Sequence, residues 1–208
     1  MEITEITELS KSRYMIILDR EISFALYKGE VRRYRLKPGA EISEAVYREL
    51  MEEVLPKRAK MRCMNLLTVR DYTETQLRAK LKTGGYPQTV IDSAIDYVKS
   101  YGYVGDEYYA RKYIETYWER KSRRKLEQEL RQKGISPEVT ARVYEEVADL
   151  EGEDPELMQI GKLLKKRGYQ GENTGREERM KLAAYLARKG YSVEKIRNCM
   201  GNFEEYDD

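Results

Sequence analysis

The chain has 208 residues, 40% of them apolar, with 39 Lys and Arg against 37 Asp and Glu and a formal net charge of +2. A chain this long buries roughly 70% of its unfolded surface, so this composition predicts a packed core rather than disorder, and no apolar run nears the roughly 18 residues a bilayer span requires. Histidine is absent, which removes the commonest general base and metal ligand together, and Cys63 and Cys199 stand too far apart to suggest a zinc motif or a disulfide framework.

Five acids precede Phe24 with no apolar stretch of leader type among them, so no secretory signal and a cytoplasmic location are expected. In the first 56 residues Tyr14, Ile16 and Leu18 alternate, and Ser23 to Tyr27 and Val31 to Leu36 are β-prone. Asp19-Arg20-Glu21 and Lys28-Gly29-Glu30 read as the turns between them. A small antiparallel sheet is expected, too short to stand alone and therefore packed on the helices that follow. Lys37-Pro38-Gly39 ends it, and Ser43 caps a helix carrying Val46, Leu50 and Val54.

The rest of the chain repeats. Leu77, Leu81 and Gly85 are spaced by four, as are Leu126, Leu130 and Gly134, and Leu182, Leu186 and Gly190. Leucines four apart share one helix face, and a glycine after the last turn takes the left-handed cap conformation cheaply. Pro87, Ser136 with Pro137, and Ser192 then start new helices. These carry apolar stripes such as Val90, Ile91, Ala94, Ile95 and Val98. Thr73 to Gln76 reads as a capping box. A further helical stretch precedes each pair, and Asp106 and Asp154 suit the N-caps of the second and third of these. The expected fold is mainly α, with tandem three-helix repeats at 57–105, 106–152 and 153–208 in an elongated curved array behind a β-rich region at 1–56.

The small net charge hides segregation. Residues 57–82 carry eight bases and two acids, residues 111–133 nine and four, and residues 162–197 eleven and four, whereas residues 138–156 hold eight acids and Arg142 alone. Glu204, Glu205, Asp207 and Asp208 add an acidic tail. The bases fall on the helices before each glycine, so they form a stripe suited to a long polyanion. Tyrosine occurs 18 times, and between Tyr86 and Tyr117 it interleaves with Arg111 and Lys112. Tyr faces stack on bases while cations neutralise phosphates; equally, Tyr closes the outer layer of a helical core. A major-groove reader is disfavoured, because the second helices carry Asp92, Asp96, Glu138, Glu145 and Glu146, which repel phosphates.

Catalysis has little support. Gly161-Lys162 lacks the remainder of a Walker motif, Glu151, Glu153 and Asp154 read as a solvated junction, and no histidine activates a nucleophile. No catalytic residue, metal or cofactor is expected, and the chain is not read as an enzyme.

Several stretches together resemble the RecX regulatory family, the modulators of the RecA recombinase, over residues 57–203. Leu66-Leu67-Thr68-Val69-Arg70-Asp71-Tyr72-Thr73 running into Leu77-Arg78-Ala79-Lys80-Leu81 is similar to the family's first repeat, and Tyr101-Gly102-Tyr103-Val104-Gly105-Asp106 with Tyr109-Ala110-Arg111 to its junction. Glu129-Leu130-Arg131-Gln132-Lys133-Gly134-Ile135-Ser136 resembles the second repeat, and Leu186-Ala187-Arg188-Lys189-Gly190-Tyr191-Ser192 the third. Residues 168–178 look like a loosened insert.

The resemblance implies tandem three-helix repeats, no enzymatic activity, and binding to the RecA filament on single-stranded DNA that lowers strand exchange and ATP hydrolysis, hence a role in recombination, DNA repair and the SOS response. A monomer without membrane contact is expected. The basic stripe, rather than the resemblance, nominates the contacts: Arg70, Arg78, Lys80, Arg111, Arg123, Arg124, Lys125, Arg131 and Lys133, with Tyr101, Tyr103, Tyr109 and Tyr113 beside them. The alternative reading is a stand-alone single-strand binder that competes for DNA.

Overall fold

The computed structural model describes residues 1–151 and 154–201; Glu153 and the acidic tail lie outside them. The described chain gathers into one compact unit over Met1–Gly105 and a second from Asp106 onward.

The first unit opens with a three-stranded antiparallel sheet in the order β1 (Ile3–Ser10), β2 (Arg13–Leu18), β3 (Ile22–Tyr27). The turn at Asp19 and Arg20 has φ values of 47° and 64°, as the sequence expects of a tight connection. Two features differ from the sequence reading. Strand β1 lacks the alternation that marks a strand in sequence, because its apolar residues Ile3, Ile6 and Leu9 fall every third position rather than every second. The pairing explains this spacing: Ile3 faces Leu18 while Glu5 faces Ile17, an irregularity that inserts one residue and returns Ile3 and Ile6 to the same face.

The second difference is a correction. Val31 to Leu36 is not a strand; α1 (Lys28–Arg33) and a turn occupy it. The Glu30 carboxylate accepts from the Tyr27 backbone N–H at 2.7 Å, as in the reciprocal half of a capping box. Val31 and Leu36 still reach the core, joined through the Leu36 N–H to the Val31 carbonyl at 3.0 Å.

Ser43 caps α2 (Glu44–Glu49), its Oγ accepting from the Val46 N–H at 3.3 Å. The helix runs on through a π turn at Leu50–Val54 into α3 (Leu55–Leu67). That turn ends two residues before Pro56, whose ring cannot donate and clashes with a regular helical carbonyl four residues back, here that of Glu52 within the turn; widening the ladder accommodates it. With α4 (Glu74–Thr83) and α5 (Gln88–Ser100), α3 completes the first three-helix group. Leu18, Phe24 and Leu26 of the sheet share one core with Leu55, Leu77, Leu81, Ile91 and Ile95, so the sheet packs on the helices as its size requires.

The second unit holds α6 (Asp106–Tyr117), α7 (Arg123–Gln132) and α8 (Pro137–Glu151), then α9 (Pro155–Lys166), a short 3-10 turn (Gly171–Asn173), α10 (Arg176–Arg188) and α11 (Val193–Met200). Its apolar side chains form two clusters, one around Ile114, Leu126, Leu130 and Val147 and one around Ile160, Leu182, Leu186 and Ile196. The fold is therefore mainly helical, with three tandem three-helix groups and a small sheet at the N-terminus.

The repeated glycines perform one job. Gly85, Gly134 and Gly190 have φ values of 78°, 88° and 96°. The residue after each donates back to the paired leucine's carbonyl: Tyr86 to Leu81, Ile135 to Leu130 and Tyr191 to Leu186, at 3.3, 3.1 and 3.3 Å. This is the Schellman ending, in which the same apolar pair seals the helix terminus. Thr73 and Gln76 form the expected capping box, and Ser136, Ser192 and Asp154 each cap a helix through a side-chain oxygen.

Candidate nucleic-acid interface

The loop between α6 and α7 is held by the third helix group. Ser122, buried at the N-cap of α7, accepts from the Lys125 N–H at 3.4 Å and donates to the Lys189 carbonyl at 2.8 Å. The next residue's N–H, on Arg123, donates to the buried Glu156 carboxylate at 2.9 Å. Gln159 of α9 is equally occupied: its amide N–H donates to the Trp118 carbonyl at 2.6 Å, and its Oε1 accepts from the Tyr191 hydroxyl at 2.8 Å. Two apolar cores are thus joined by a polar seam whose buried groups all find partners, the condition for such a seam to be rigid.

Lys195 supplies the counter-charge, reaching Glu156 at 2.5 Å and Asp154 at 2.7 Å. Burial pulls its ammonium down, but the hydrogen bonds to Asp154 and Glu156 outweigh it and hold the pKa above the ordinary 10.5. Burial, reinforced by the charge of Glu156, pushes the Tyr191 hydroxyl up to about 12. Both groups keep their protons across the physiological range.

Beside this seam lies a cleft of about 710 Å3. Arg120, Lys121, Arg124 and Lys125 line it from the loop and α7, Lys162 from α9, and Arg188 and Lys189 from the end of α10; Glu119 is its one acid. Lys121 is tied to Glu129 at 2.6 Å, and Lys162 lies 3.6 Å from Glu119. Arg120, Arg124 and Arg188 have no ion pair among the described residues. A recess with low-dielectric walls and an excess of one charge concentrates its field on a ligand of opposite sign.

The structure distributes the sequence candidates unevenly. Arg124 and Lys125 face the cleft. Arg123, their neighbour, turns away, bonded to Glu127 at 2.9 Å and Glu145 at 2.6 Å with its guanidinium 4.6 Å from the Tyr144 ring. Arg78 is bonded to Glu74 and Asp92, and Arg111 to Glu146. Arg131 is exposed on α7, and Lys133 lies 5.2 Å from the Tyr113 ring. In the first unit Arg70 covers the Tyr72 ring at 4.4 Å, and Lys80 lines a separate recess.

The tyrosines also divide. Tyr101 and Tyr103 are exposed and stack on each other at 5.8 Å. Tyr109 stacks on Tyr113, whose hydroxyl donates to Glu129 at 2.6 Å and accepts from Lys121 at 3.0 Å, so Tyr113 braces its helix group. Sequence reasoning did not single out Arg120, Lys121, Lys162, Arg188 and Lys189 as contacts. A signal was present: Lys189 precedes Gly190 as Lys133 precedes Gly134.

Among the described residues no group of three His, Cys, Asp or Glu side chains could hold a metal ion, and no helix is long and apolar enough to cross a membrane. Three family models match the chain: the RecX first three-helix domain over residues 59–97, the second over 106–143 and the third over 156–200.

The chain belongs to the RecX family.

Its relatives named "Regulatory protein RecX" include one from Caldanaerobacter subterraneus subsp. tengcongensis, 29% identical over 96% of this chain and 98% of that protein. Another, from Clostridioides difficile, is also 29% identical and covers 99% and 98% of the two chains. A RecX crystal structure superposes with a TM-score of 0.64 at 23% identity, covering 95% of this chain and 98% of that one. The RecX of Lactobacillus salivarius gives 0.60 at 18% identity, covering 70% and 94%. At these identities the structural likeness shows a shared RecX fold. The cleft therefore lies between the second and third RecX three-helix domains.

Proposed function

We propose that this chain is a non-enzymatic regulator that binds the RecA filament on single-stranded DNA and lowers its ATP hydrolysis and strand exchange. Family membership supports the partner. The cleft supports the mode: seven cations against one acid, held open by the seam of Ser122, Glu156 and Gln159, suit a phosphate backbone or an acidic filament surface. Arg120, Arg124 and Arg188 are its primary contacts, since ion pairing does not neutralise them. The same charge also supports a second reading, direct capture of bare single strands in competition with the recombinase.

The deciding experiment is a titration of RecA ATP hydrolysis on saturating single-stranded DNA, beside a binding titration on the same DNA without RecA. Inhibition far below the concentration that coats bare DNA is the expected result. Inhibition only once the bare strand is coated favours competition, and no inhibition at any concentration removes the regulatory reading.

A further inference from the structure

The first unit carries a recess that the regulatory reading does not use. About 400 Å3 in volume, it is lined by Arg13 at the start of β2, Tyr27 at the end of β3, Arg62 on α3, Lys80 on α4 and Tyr86 just beyond α4. No carboxylate lines it. Arg13, Arg62 and Lys80 have no ion pair among the described residues, whereas Arg58 nearby is satisfied by Glu30 at 2.7 Å. Three converging cations without a counter-charge repel one another, and an anion seated among them both relieves this and takes charge-assisted hydrogen bonds. The C-terminal end of α4 opposes with roughly half a negative charge, which is less than the three positive charges facing it.

The walls are fixed by the backbone. Arg13 donates one guanidinium N–H to the Gly84 carbonyl at 3.3 Å, and the Ala25 N–H donates to the Gly85 carbonyl at 2.7 Å, tying sheet to turn. Tyr27 is 45% exposed, and the Arg58 guanidinium lies over its ring at 4.6 Å. Burial raises the Tyr86 hydroxyl, while the charges of Arg58, Arg13 and Arg62 reach it and oppose the rise. The positive field therefore extends over an aromatic surface.

The geometry points to a nucleotide-binding recess, in which Arg13, Arg62 and Lys80 hold a phosphate and its base lies against the Tyr27 and Tyr86 rings. Guanidinium forks match phosphate oxygens, Tyr faces take any base, and the volume lies within the range of small-ligand sites. The ligand is a free mononucleotide or one unit of a single strand. The strand-borne form rests on the second reading, capture of a single strand, and gives it a site; Arg62, Lys80 and Tyr86 lie within the first family match at residues 59–97, Arg13 and Tyr27 before it, and the test contains no recombinase.

Binding of dTMP, of inorganic phosphate and of labelled oligo(dT) to the full chain is compared between wild type and R62E/K80E, both exposed positions, with the unfolding midpoint recorded for each. The expected result is tighter binding of dTMP or oligo(dT) than of phosphate, weakened about tenfold or more in the variant with an unchanged midpoint. Loss confined to oligo(dT) assigns a strand-borne nucleotide, and loss for dTMP assigns the free one; both support the recess. No binding of either to wild type, unchanged affinity in the variant, or phosphate competing as well as dTMP overturns it. If the variant's midpoint falls, photocrosslinking of iodouridine-substituted oligo(dT) and of 5-iodo-dUMP to wild type decides: crosslinks at Tyr27 or Tyr86 support the assignment, and crosslinks only elsewhere overturn it.

Discussion

Ser122 and Gly190 meet without room for a methyl group: a Cβ on Gly190 would stand 2.6 Å from the Ser122 Oγ. That oxygen both caps α7 and donates to the Lys189 carbonyl, so it cannot retreat without loss. Gly190 also holds a φ of 96°. Gly190→Ala is therefore expected to cost about 2–4 kcal/mol, more than the roughly 1–2 of a left-handed backbone alone. Urea unfolding followed by the fluorescence of Trp118, the single tryptophan, buried in this unit, measures it. In a Ser122→Ala background the clash is absent and the increment is smaller; costs that add to within about 0.5 kcal/mol would sink the steric account.

Arg123 and Arg124 are adjacent in sequence and differ in role. Arg123→Glu places an acid beside Glu127 and Glu145 and is expected to destabilise the second unit by about 1–3 kcal/mol. Arg124→Glu leaves the unfolding midpoint nearly unchanged and weakens RecA inhibition. For direct DNA binding it lowers the salt slope by about 0.7 for the lost phosphate contact. Equal loss of inhibition in the two variants at unchanged stability would remove the cleft from the proposed mechanism.

Acid stability reports on Glu74. Its carboxyl is held below the ordinary 4.5 by the Lys99 hydrogen bond, against burial and with help from Arg78. A lowered folded pKa gives stability that is present above 4.5 and is lost as pH falls through the folded value. Glu74→Gln should accordingly cost about 1 kcal/mol at neutral pH and progressively less as pH falls below 4.5 through the folded value. Lys195 has the opposite sign: it is charged below 10.5 and loses its proton only as pH rises through the folded value above that, so its own ionisation does not change across the acid titration. A pH-independent cost of Glu74→Gln in urea unfolding would contradict the assignment.

Gly85 and Gly102 separate backbone strain from contact. Both have positive φ, 78° and 70°. A Cβ at Gly102 meets nothing within 4 Å, whereas one at Gly85 comes within 2.6 Å of the Ala25 Cβ. Gly102→Ala should cost about 1 kcal/mol and Gly85→Ala at least about 2 kcal/mol more, because the sheet is pinned at that point. Chemical denaturation of the two variants compares them directly, and equal costs would show that the sheet yields.

Most of the helical architecture was legible in local patterns. Leucines at a spacing of four, a glycine after each pair, and Ser, Thr or Asp at the helix starts are short-range signals whose physics acts within one turn. That is why the three repeats, their Schellman endings and the Thr73 capping box could be read from the chain. Reading failed where the deciding partner was distant or where one pattern served two structures. The period of three in Ile3, Ile6 and Leu9 becomes a strand only against β2, and Val31 to Leu36 has strand propensity that the Glu30 cap overrides.

The candidate site divides in the same way. Composition and repeat determined that cations gather on the helices before each glycine, because charge segregation is a property of the linear chain. Only tertiary structure decided which of them keep their charge available. Arg78, Arg111 and Arg123 meet carboxylates 14 or more residues away, whereas Arg120, Arg124 and Arg188 converge on one cleft from separate elements. Whether a guanidinium is neutralised depends on what lies within a few ångströms of it, and for residues on different helices that distance is set by packing rather than by sequence separation.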